Sequence, residues 1–302
     1  MKIDNLTGLH VLVQTARTGT LTAAASAMDL TPAAASAALK RLEIQLGTRL
    51  FERSTRAMRL TPQGQSMLDY ARRALDLLAE GESLVESKNT KLVGTLRVAS
   101  PSDLTRTTLL PWISAFLKDN PEVRVSLLVG DRPQDVVRDE VDVALRYGAL
   151  DDSQLVARKL FDARPVLCAA PAYLKAHPAP RTPQDLQAHN CLMFHRRGQP
   201  HYRWRFKREG HWTEVSVQGD RVVDDASLVR EWAIAGEGVI LKSELELRDE
   251  LSRGGLVRLL PDWETEMYPL HALLPSGRFV PGRVRAFVDF LASRFSEVAH
   301  AL

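Results

Sequence analysis

Cysteine is nearly missing from this chain: Cys168 and Cys191 are the only two in 302 residues. That is too few for the disulfide frameworks that hold small secreted proteins together. Long apolar runs are missing too, and none approaches the roughly 18 residues of a membrane-crossing helix. The opening stretch, MKIDNLTGLH, has no apolar core of the kind a secretory signal carries. A cytoplasmic protein with no membrane partner is therefore expected. No GxSxG, HExxH or phosphate-binding loop occurs, and GEG at 236–238 falls far short of a dinucleotide fingerprint. The expectation is a protein with no catalytic residues, no enzymatic activity and no cofactor.

What is present is an ordinary globular composition, 45% hydrophobic and 25% charged. A chain of 302 residues points to two or three domains. The net charge of +3 is unevenly spread. Residues 1–61 hold eight basic side chains (Lys2, Arg17, Lys40, Arg41, Arg49, Arg53, Arg56, Arg59) against four acidic ones (Asp4, Asp29, Glu43, Glu52). That segment is thus +4, and the other 241 residues together are −1. Positive charge gathered at one end suits a polyanionic partner, although a solvated basic face is the commoner meaning of such a run.

Within that basic segment the apolar spacing is helical. Leu6, Leu9, Val13 and Ala16 predict a first helix with those residues on its buried face, stopped at Gly19. A second helix is expected over 21–28. The stretch TPAAASAALKRLE, 31–43, then supplies Thr31 as N-cap, Pro32 at the first turn and an alanine-rich body. Ala35, Leu39, Leu42 and Leu46 share one face and demand burial. Ala33, Ser36, Ala37 and Lys40 share another that is small, neutral and polar-tipped. Such a face lets a helix backbone come close to base edges in the major groove, as the second helix of a helix-turn-helix does. Thr31 and Pro32 open that helix and complete the expected DNA-facing set. The following GTRLFERSTRAMRLT reads as a short two-stranded wing whose Arg53 and Arg56 grip phosphates.

The order GTLTAAASAMDLTPAAASAALKRLEIQLGTRLFERSTRAMRLTPQG is similar to the winged helix-turn-helix of the LysR-type transcriptional regulators. Ala24, Ala25, Ser36, RLE at 41–43, LG at 46–47, LF.R at 50–53 and LT..G at 60–64 carry the resemblance. Pro32 departs from it, since many members have glutamine there; base reading must then lean on its neighbours and on DNA shape.

From Pro62 the spacing changes. Met67, Ala71, Ala74, Leu78, Gly81 and Val85 are 4, 3, 4, 3 and 4 residues apart, a heptad seam on a helix over about 62–87. Such a helix would be roughly 39 Å long. An amphipathic helix packed on its own domain is the plainer reading, but small residues at three seam positions favour close helix–helix approach instead. In the resembled family the helix pairs with its copy, so the seam is read as a dimerisation surface. SKNTKLVG, 87–94, is the expected hinge.

The rest alternates strand and helix. Strands are expected at 95–100, 123–129 and 141–147, helices near 109–118 and 133–138, and a mostly parallel sheet follows. PVLCAA, CLMF, YRWRF and EVSVQG read as further strands, with a helix over about 226–235, a strand at GEGVIL, another at YPLHALL and a last helix over 281–296. VGTLRVASP, VDVALRYGALDDSQLVARKL, CAAPAYLKAHPAPRTPQDLQAHNCL, ILKS, LVRLLPDW and RVRAFVDFLASRF resemble one branch of LysR-type effector domains. Glu140 stands where many relatives have glycine.

The resemblance covers nearly the whole chain and implies an N-terminal all-α winged helix-turn-helix with a linker helix, followed by a C-terminal α/β effector domain of two subdomains, similar to a periplasmic binding protein. The expected divisions are 1–61 for the DNA-binding head (helix-turn-helix about 21–40), 62–90 for the linker and hinge, and 91–302 for the effector domain. Within that domain, subdomain I spans about 91–162 and 268–302, and subdomain II about 163–267. By the same resemblance the cleft walls are Ser100, Ser102, Asp103, Gly130, Arg146, Tyr147, Gly148, His195, Asp224, Asp225 and Ala226. For any one of them, helix capping or packing is as good an account as ligand contact. Implied partners are operator DNA, a small-molecule effector, further copies of the chain (a dimer, and by analogy a tetramer) and, for an activator, RNA polymerase. One alternative stands beside this reading. His189, Cys191, His195, His201 and His211 crowd into 23 positions and are zinc and copper ligand types, which would suit a metal- or redox-responsive regulator. Their spacing matches no compact metal site, and no metal ligand is assigned.

Overall fold

Asn5 begins the first helix by accepting a hydrogen bond from the main-chain N–H of Thr7 at 2.6 Å, and Gly19, in the left-handed region at φ 76°, ends it. A computed structural model of the chain describes residues 3–53, 58–86, 91–131, 141–148, 156–196, 199–274 and 280–300. It divides into two units, Met1–Gly94 and Thr95–Leu302.

The first unit holds α1 (Leu6–Thr18), α2 (Leu21–Ser26), α3 (Pro32–Leu46), the antiparallel pair β1 (Phe51–Arg53) and β2 (Met58–Leu60), and α4 (Pro62–Glu86). Thr20 and Thr31 cap α2 and α3 by accepting from Ala23 N and Ala34 N, each at 3.2 Å. The buried face of α1 differs from the expected one. Leu9 is in the core with Val11, Leu12 and Thr15, while Leu6 is 46% exposed and Val13 and Ala16 lie at the margin. The reason is that α1 is covered by α2, α3 and α4 together, so its buried stripe is wider than one a/d row. Helix α2 stops two residues earlier than expected, because Asp29 takes a left-handed conformation (φ 53°) and Leu30 N closes the turn onto Ala25 O at 2.9 Å.

Ala35, Leu39 and Leu42 fill the core with Leu50, Phe51, Leu68 and Ala71. Glu43 reaches from α3 to the base of the wing, its Oε1 accepting from Leu50 N at 2.8 Å and Phe51 N at 3.3 Å. Gly64 shows why the first turn of α4 is so restricted. A Cβ there would lie 1.9 Å from the carbonyl oxygen of Leu50.

In the second unit, β3 (Gly94–Ser100) leads into a helical run of α5 (Ser102–Leu104), a π-helical turn (Thr105–Leu109) and α6 (Leu110–Asp119). Strands β4 (Val123–Val129), β5 (Val143–Tyr147) and β6 (Val156–Ala163) follow. The chain then builds subdomain II from β7 (Pro165–Ala169), α7 (Pro171–Ala176), a 3-10 turn (Pro183–Ala188), β8 (Met193–Arg196), β9 (Gln199–Pro200), β10 (Arg203–Arg208) and β11 (His211–Ser216). It continues with β12 (Val222–Val223), α8 (Ala226–Ile234), β13 (Val239–Ser243), α9 (Glu244–Ser252), β14 (Val257–Arg258) and β15 (Glu264–Thr265). It returns through β16 (Tyr268–Leu274) to α10 (Gly282–Ala299).

The five-stranded sheet runs β4-β3-β5-β16-β6. Its pairing corrects the mostly parallel expectation. β3 and β5 are parallel, but β16 lies antiparallel to both β5 and β6. β6 leaves for subdomain II and β16 comes back from it, so the two must run in opposite senses. Subdomain II has three small sheets, ordered β13-β7-β14, β12-β8-β9 and β11-β10-β15. Helices α6 and α10 pack through Phe116 against Phe287 (ring centroids 5.1 Å apart) and Trp112 against Phe295 (4.9 Å). The helix expected at 133–138 lies outside the described residues.

Replacing Gly64 with Ala is expected to destabilise the first unit by about 1–3 kcal/mol, since the clash is with main chain rather than a yielding side chain. Urea denaturation followed by circular dichroism measures it.

Candidate nucleic-acid interface and effector cleft

Helix α3 has two unlike faces, set by its alanine spacing. Ala35, Leu39 and Leu42 are buried, whereas Thr31, Pro32, Ala33, Ala37 and Lys40 are exposed and Ser36 is half-buried between them. The expected DNA-facing residues therefore share one open surface. Leu46, expected in the buried row, lies at its margin. The side chain of Arg53 and all of Arg56 lie outside the described residues.

Helix α4 divides along its length. Met67 and Ala71, placed in the dimer seam by their spacing, pack instead on the core of their own head, and Ala71 is fully buried there. Helix α1 lies across this half of α4, so the plainer amphipathic reading holds for these two positions. Beyond them Ala74, Leu78 and Gly81 are exposed, with Leu77 beside them. The side chain of Val85 lies outside the described residues.

In the second unit the expected cleft residues converge through partners that the sequence did not flag. Asp103, 1% exposed, pairs with Arg230 Nε at 2.8 Å and with Lys242 Nζ at 2.7 Å. Lys242 also meets Glu246 at 3.2 Å and donates to the carbonyl of Ala226 at 3.0 Å. Burial works against the Lys242 charge, but Glu246 and Asp103 outweigh it and hold the ammonium well above its ordinary value. Tyr147 is driven upward by burial and by the Glu246 carboxylate, so its phenol stays protonated. Four charged groups thus join β13, α8 and α9 of subdomain II to the start of the α5 run in subdomain I.

Beside this network Asp131, just after β4, accepts from Ser102 N at 3.0 Å, from Ser102 Oγ, and from Ala226 N at 2.6 Å. Asp225 caps α8 by accepting from Ser227 N at 2.9 Å. Burial would raise the Asp225 carboxyl, yet hydrogen bonds from the Ser227 side chain and main chain hold it below its usual range. Ser100 is buried and bonds through its hydroxyl to Thr105, and Gly130 N donates to Ser100 O at 3.1 Å. Gly148 N donates to Pro269 O at 2.8 Å, and Arg146 stands opposite His271 in the sheet. Ser102, Asp103, Asp225 and Ala226 are thus brought into one group, with Tyr147 at its edge. Asp224 is exposed next to the cap. His195 sits on β8 opposite Pro200, and among the described residues no hydrogen bond or ion pair ties it to the group. A cavity of about 440 Å³, lined by Lys159, Phe161, Arg164, Glu244, Met267 and Phe295 among others, shares no residue with it.

The histidine–cysteine run is not gathered. His189 Nδ1 lies 3.2 Å from the Tyr173 hydroxyl, and burial, with His177 nearby, holds His189 below the usual histidine value. Cys191 bridges to Val239, and burial pushes its thiol up to about 12, as it does that of Cys168. Such thiols are poor thiolate donors to a metal or an oxidant. Among the described residues no three His, Cys, Asp or Glu side chains are grouped as a metal ion requires.

A head with one open small-residue helix face, and a second unit of two α/β lobes, agree with comparisons to known proteins. Residues 6–65 match the bacterial regulatory helix-turn-helix protein, lysR family, and residues 89–296 match the LysR substrate binding domain. The chain belongs to the LysR family of transcriptional regulators. The regulator PtxR of Pseudomonas aeruginosa is 34% identical over 95% of this chain and 92% of its own. The activator TtdR of Escherichia coli K12 is 30% identical over 94% and 92%. Among solved structures, CrgA of Neisseria meningitidis, a LysR-type regulator, superposes with a TM-score of 0.62 at 30% identity, covering 97% of this chain and 99% of that one. The virulence activator AphB of Vibrio cholerae gives 0.60 at 27%, covering 96% and 99%. The protein is thus a DNA-binding regulator with an effector domain, and its relatives are named as regulators and activators rather than enzymes.

Replacing Lys242 with Met is expected to destabilise the second unit by about 3–5 kcal/mol, because buried Asp103 is left with Arg230 alone and buried Glu246 with no ion pair among the described residues. Chemical denaturation followed by tryptophan fluorescence reads this directly.

Proposed function

We propose that this LysR-family regulator reads its operator through Ala33, Ser36, Ala37 and Lys40 of α3, with Thr31 and Pro32 at the helix start and Arg53 and Arg56 on phosphates. The observation that carries the reading is the division of α3, whose Ala35, Leu39 and Leu42 point inward while the face of Ala33, Ser36, Ala37 and Lys40 is small or basic. Methyl groups of Ala33 and Ala37 suit thymine methyls, and Ser36 and Lys40 suit base edges or phosphates. A cytoplasmic homo-oligomer, dimer or tetramer, presents two such heads to a paired half-site. The open part of α4 at Ala74, Leu78 and Gly81 is the surface assigned to pairing with a second copy. Contact with RNA polymerase belongs to an activating output.

The effector is a small molecule held between the two subdomains near Ser102, Asp103, Tyr147 and Asp225, and it acts by binding one arrangement of the assembly better than another. Lys242, Glu246 and Arg230 support that wall rather than face the ligand, since their charges are satisfied by one another and by Asp103.

The DNA arm is tested on a site enriched from random sequence. Arg53→Ala and Arg56→Ala are expected to weaken binding to all DNA and to flatten its salt dependence by about one unit each. Ser36→Ala should instead cost up to about 1–3 kcal/mol of preference for the enriched site over random DNA. Equal losses on both kinds of DNA for all three variants would remove the division of labour.

The effector arm is tested by a thermal-shift screen of metabolites on the full chain. Ser102→Trp is expected to abolish the response of the footprint to the metabolite found, with DNA affinity retained. An unchanged dose–response would take Ser102 out of the site.

A further inference from the structure

One carboxylate covers the starts of two helices from different subdomains. Ser102 opens the helical run of subdomain I after Pro101, which provides no side-chain cap. Ala226 opens α8 of subdomain II, whose own cap, Asp225, is turned to Ser227. The first N–H of each helix therefore has no capping side chain from its own segment, and both are aimed at Asp131: Ser102 N at 3.0 Å and Ala226 N at 2.6 Å, with the Ser102 hydroxyl as a third donor. Ser102 and Ala226 are 1% and 6% exposed, so water is a poor substitute for either bond. Asp131 itself forms no ion pair among the described residues; its negative charge is held by three donors and by the positive ends of two helices.

This arrangement is an anion seat with its anion supplied by the chain. Resting on the reading of this cleft as the effector site, we propose that Asp131 is a specificity-determining residue: its carboxylate fills the seat between Ser102 and Ala226, so the cleft takes an effector that places no carboxylate there, and a free carboxylate enters only when the Asp131 side chain is removed.

Two physical consequences follow. A carboxylate ligand would have to displace Asp131 from donors it already saturates, and would then stand beside both Asp131 and Asp225, where like charges oppose it. An effector with donor groups meets the opposite situation, because a carboxylate can accept more hydrogen bonds than the three that Asp131 takes here. The bond from Asp131 to Ala226 also crosses from one subdomain to the other, alongside the Asp103–Arg230 and Asp103–Lys242 pairs. The selecting residue therefore lies on the joint whose arrangement the effector shifts.

The experiment uses the full-length protein without DNA and three probes: sodium acetate, sodium chloride at equal ionic strength, and acetamide, which has the shape of acetate without its charge. Melting midpoints are measured for the parent, Asp131→Ala and Asp131→Ser. Both variants should melt below the parent. Acetate should raise their midpoints saturably by about 3 °C or more, whereas acetamide and chloride should not, and the parent should respond to none of the three. A variant that is unfolded in chloride and folded in acetate gives the same support. The proposal falls if acetate stabilises the parent as much as the variants, if acetamide works as well as acetate, or if neither variant responds to acetate, folded or not. Because neither DNA nor the natural effector enters the measurement, such a failure leaves the regulator reading intact. Equally, a regulator found to respond to no metabolite would leave the acetate result standing.

Discussion

Asp103 is the carboxylate on which the effector domain turns. It lies at the start of a helix in subdomain I, is 1% exposed, and meets Arg230 and Lys242, residues 127 and 139 positions further along the chain. A buried carboxylate is costly unless charge and hydrogen bonds surround it. Here the compensation comes from the other subdomain, so the cost of leaving it uncompensated opposes separation of the two lobes at this point. Lys242 is in turn shared with Glu246, one helical turn further on, and burial together with the Glu246 carboxylate pushes the Tyr147 phenol upward. The cleft wall is thus a chain of groups, each paired with the next.

The head rests on a different constraint, that of size. Helix α3 must bury Ala35, Leu39 and Leu42 while leaving an unobstructed face, and alanine satisfies both by favouring the helix and occupying little space. The wing is held to the same helix by Glu43, which supplies acceptors to Leu50 N and Phe51 N. At the other side of the wing, the absence of a side chain at Gly64 lets α4 begin against the Leu50 carbonyl. The reading helix, the wing and the linker helix are therefore positioned by contacts that involve no DNA.

Much of this was legible along the chain. The cap at Thr31, Gly19 as a stop, and the two faces of α3 follow from side-chain chemistry within a few residues, and the head matches them. The α1 stripe was misplaced because three helices cover it, a fact about neighbours rather than about spacing. The same holds for α4: a heptad spacing reports that a face is apolar, not which surface it meets, and Met67 and Ala71 meet their own head. In the effector domain Ser102, Asp103, Asp225 and Ala226 do come together, but the groups that organise them were missed. Lys242 carried a signal, being a lone cation inside the apolar strand GVILKS with Glu246 four residues on. Asp131 carried none, since an aspartate after a strand reads as an ordinary turn residue.

The sequence by itself determined the helices, their caps, the slim face of α3, the basic bias of the head and the alternation of strand and helix beyond it. All are local, set by propensity, periodicity and charge over a few turns. Tertiary structure decided the mixed pairing of the five-stranded sheet, which half of α4 is free, and which acid meets which base across the cleft. Those depend on contacts between residues far apart along the chain, such as Asp131 with Ala226 and Asp103 with Lys242. No periodicity records such a meeting, because its free energy exists only once the chain has closed on itself.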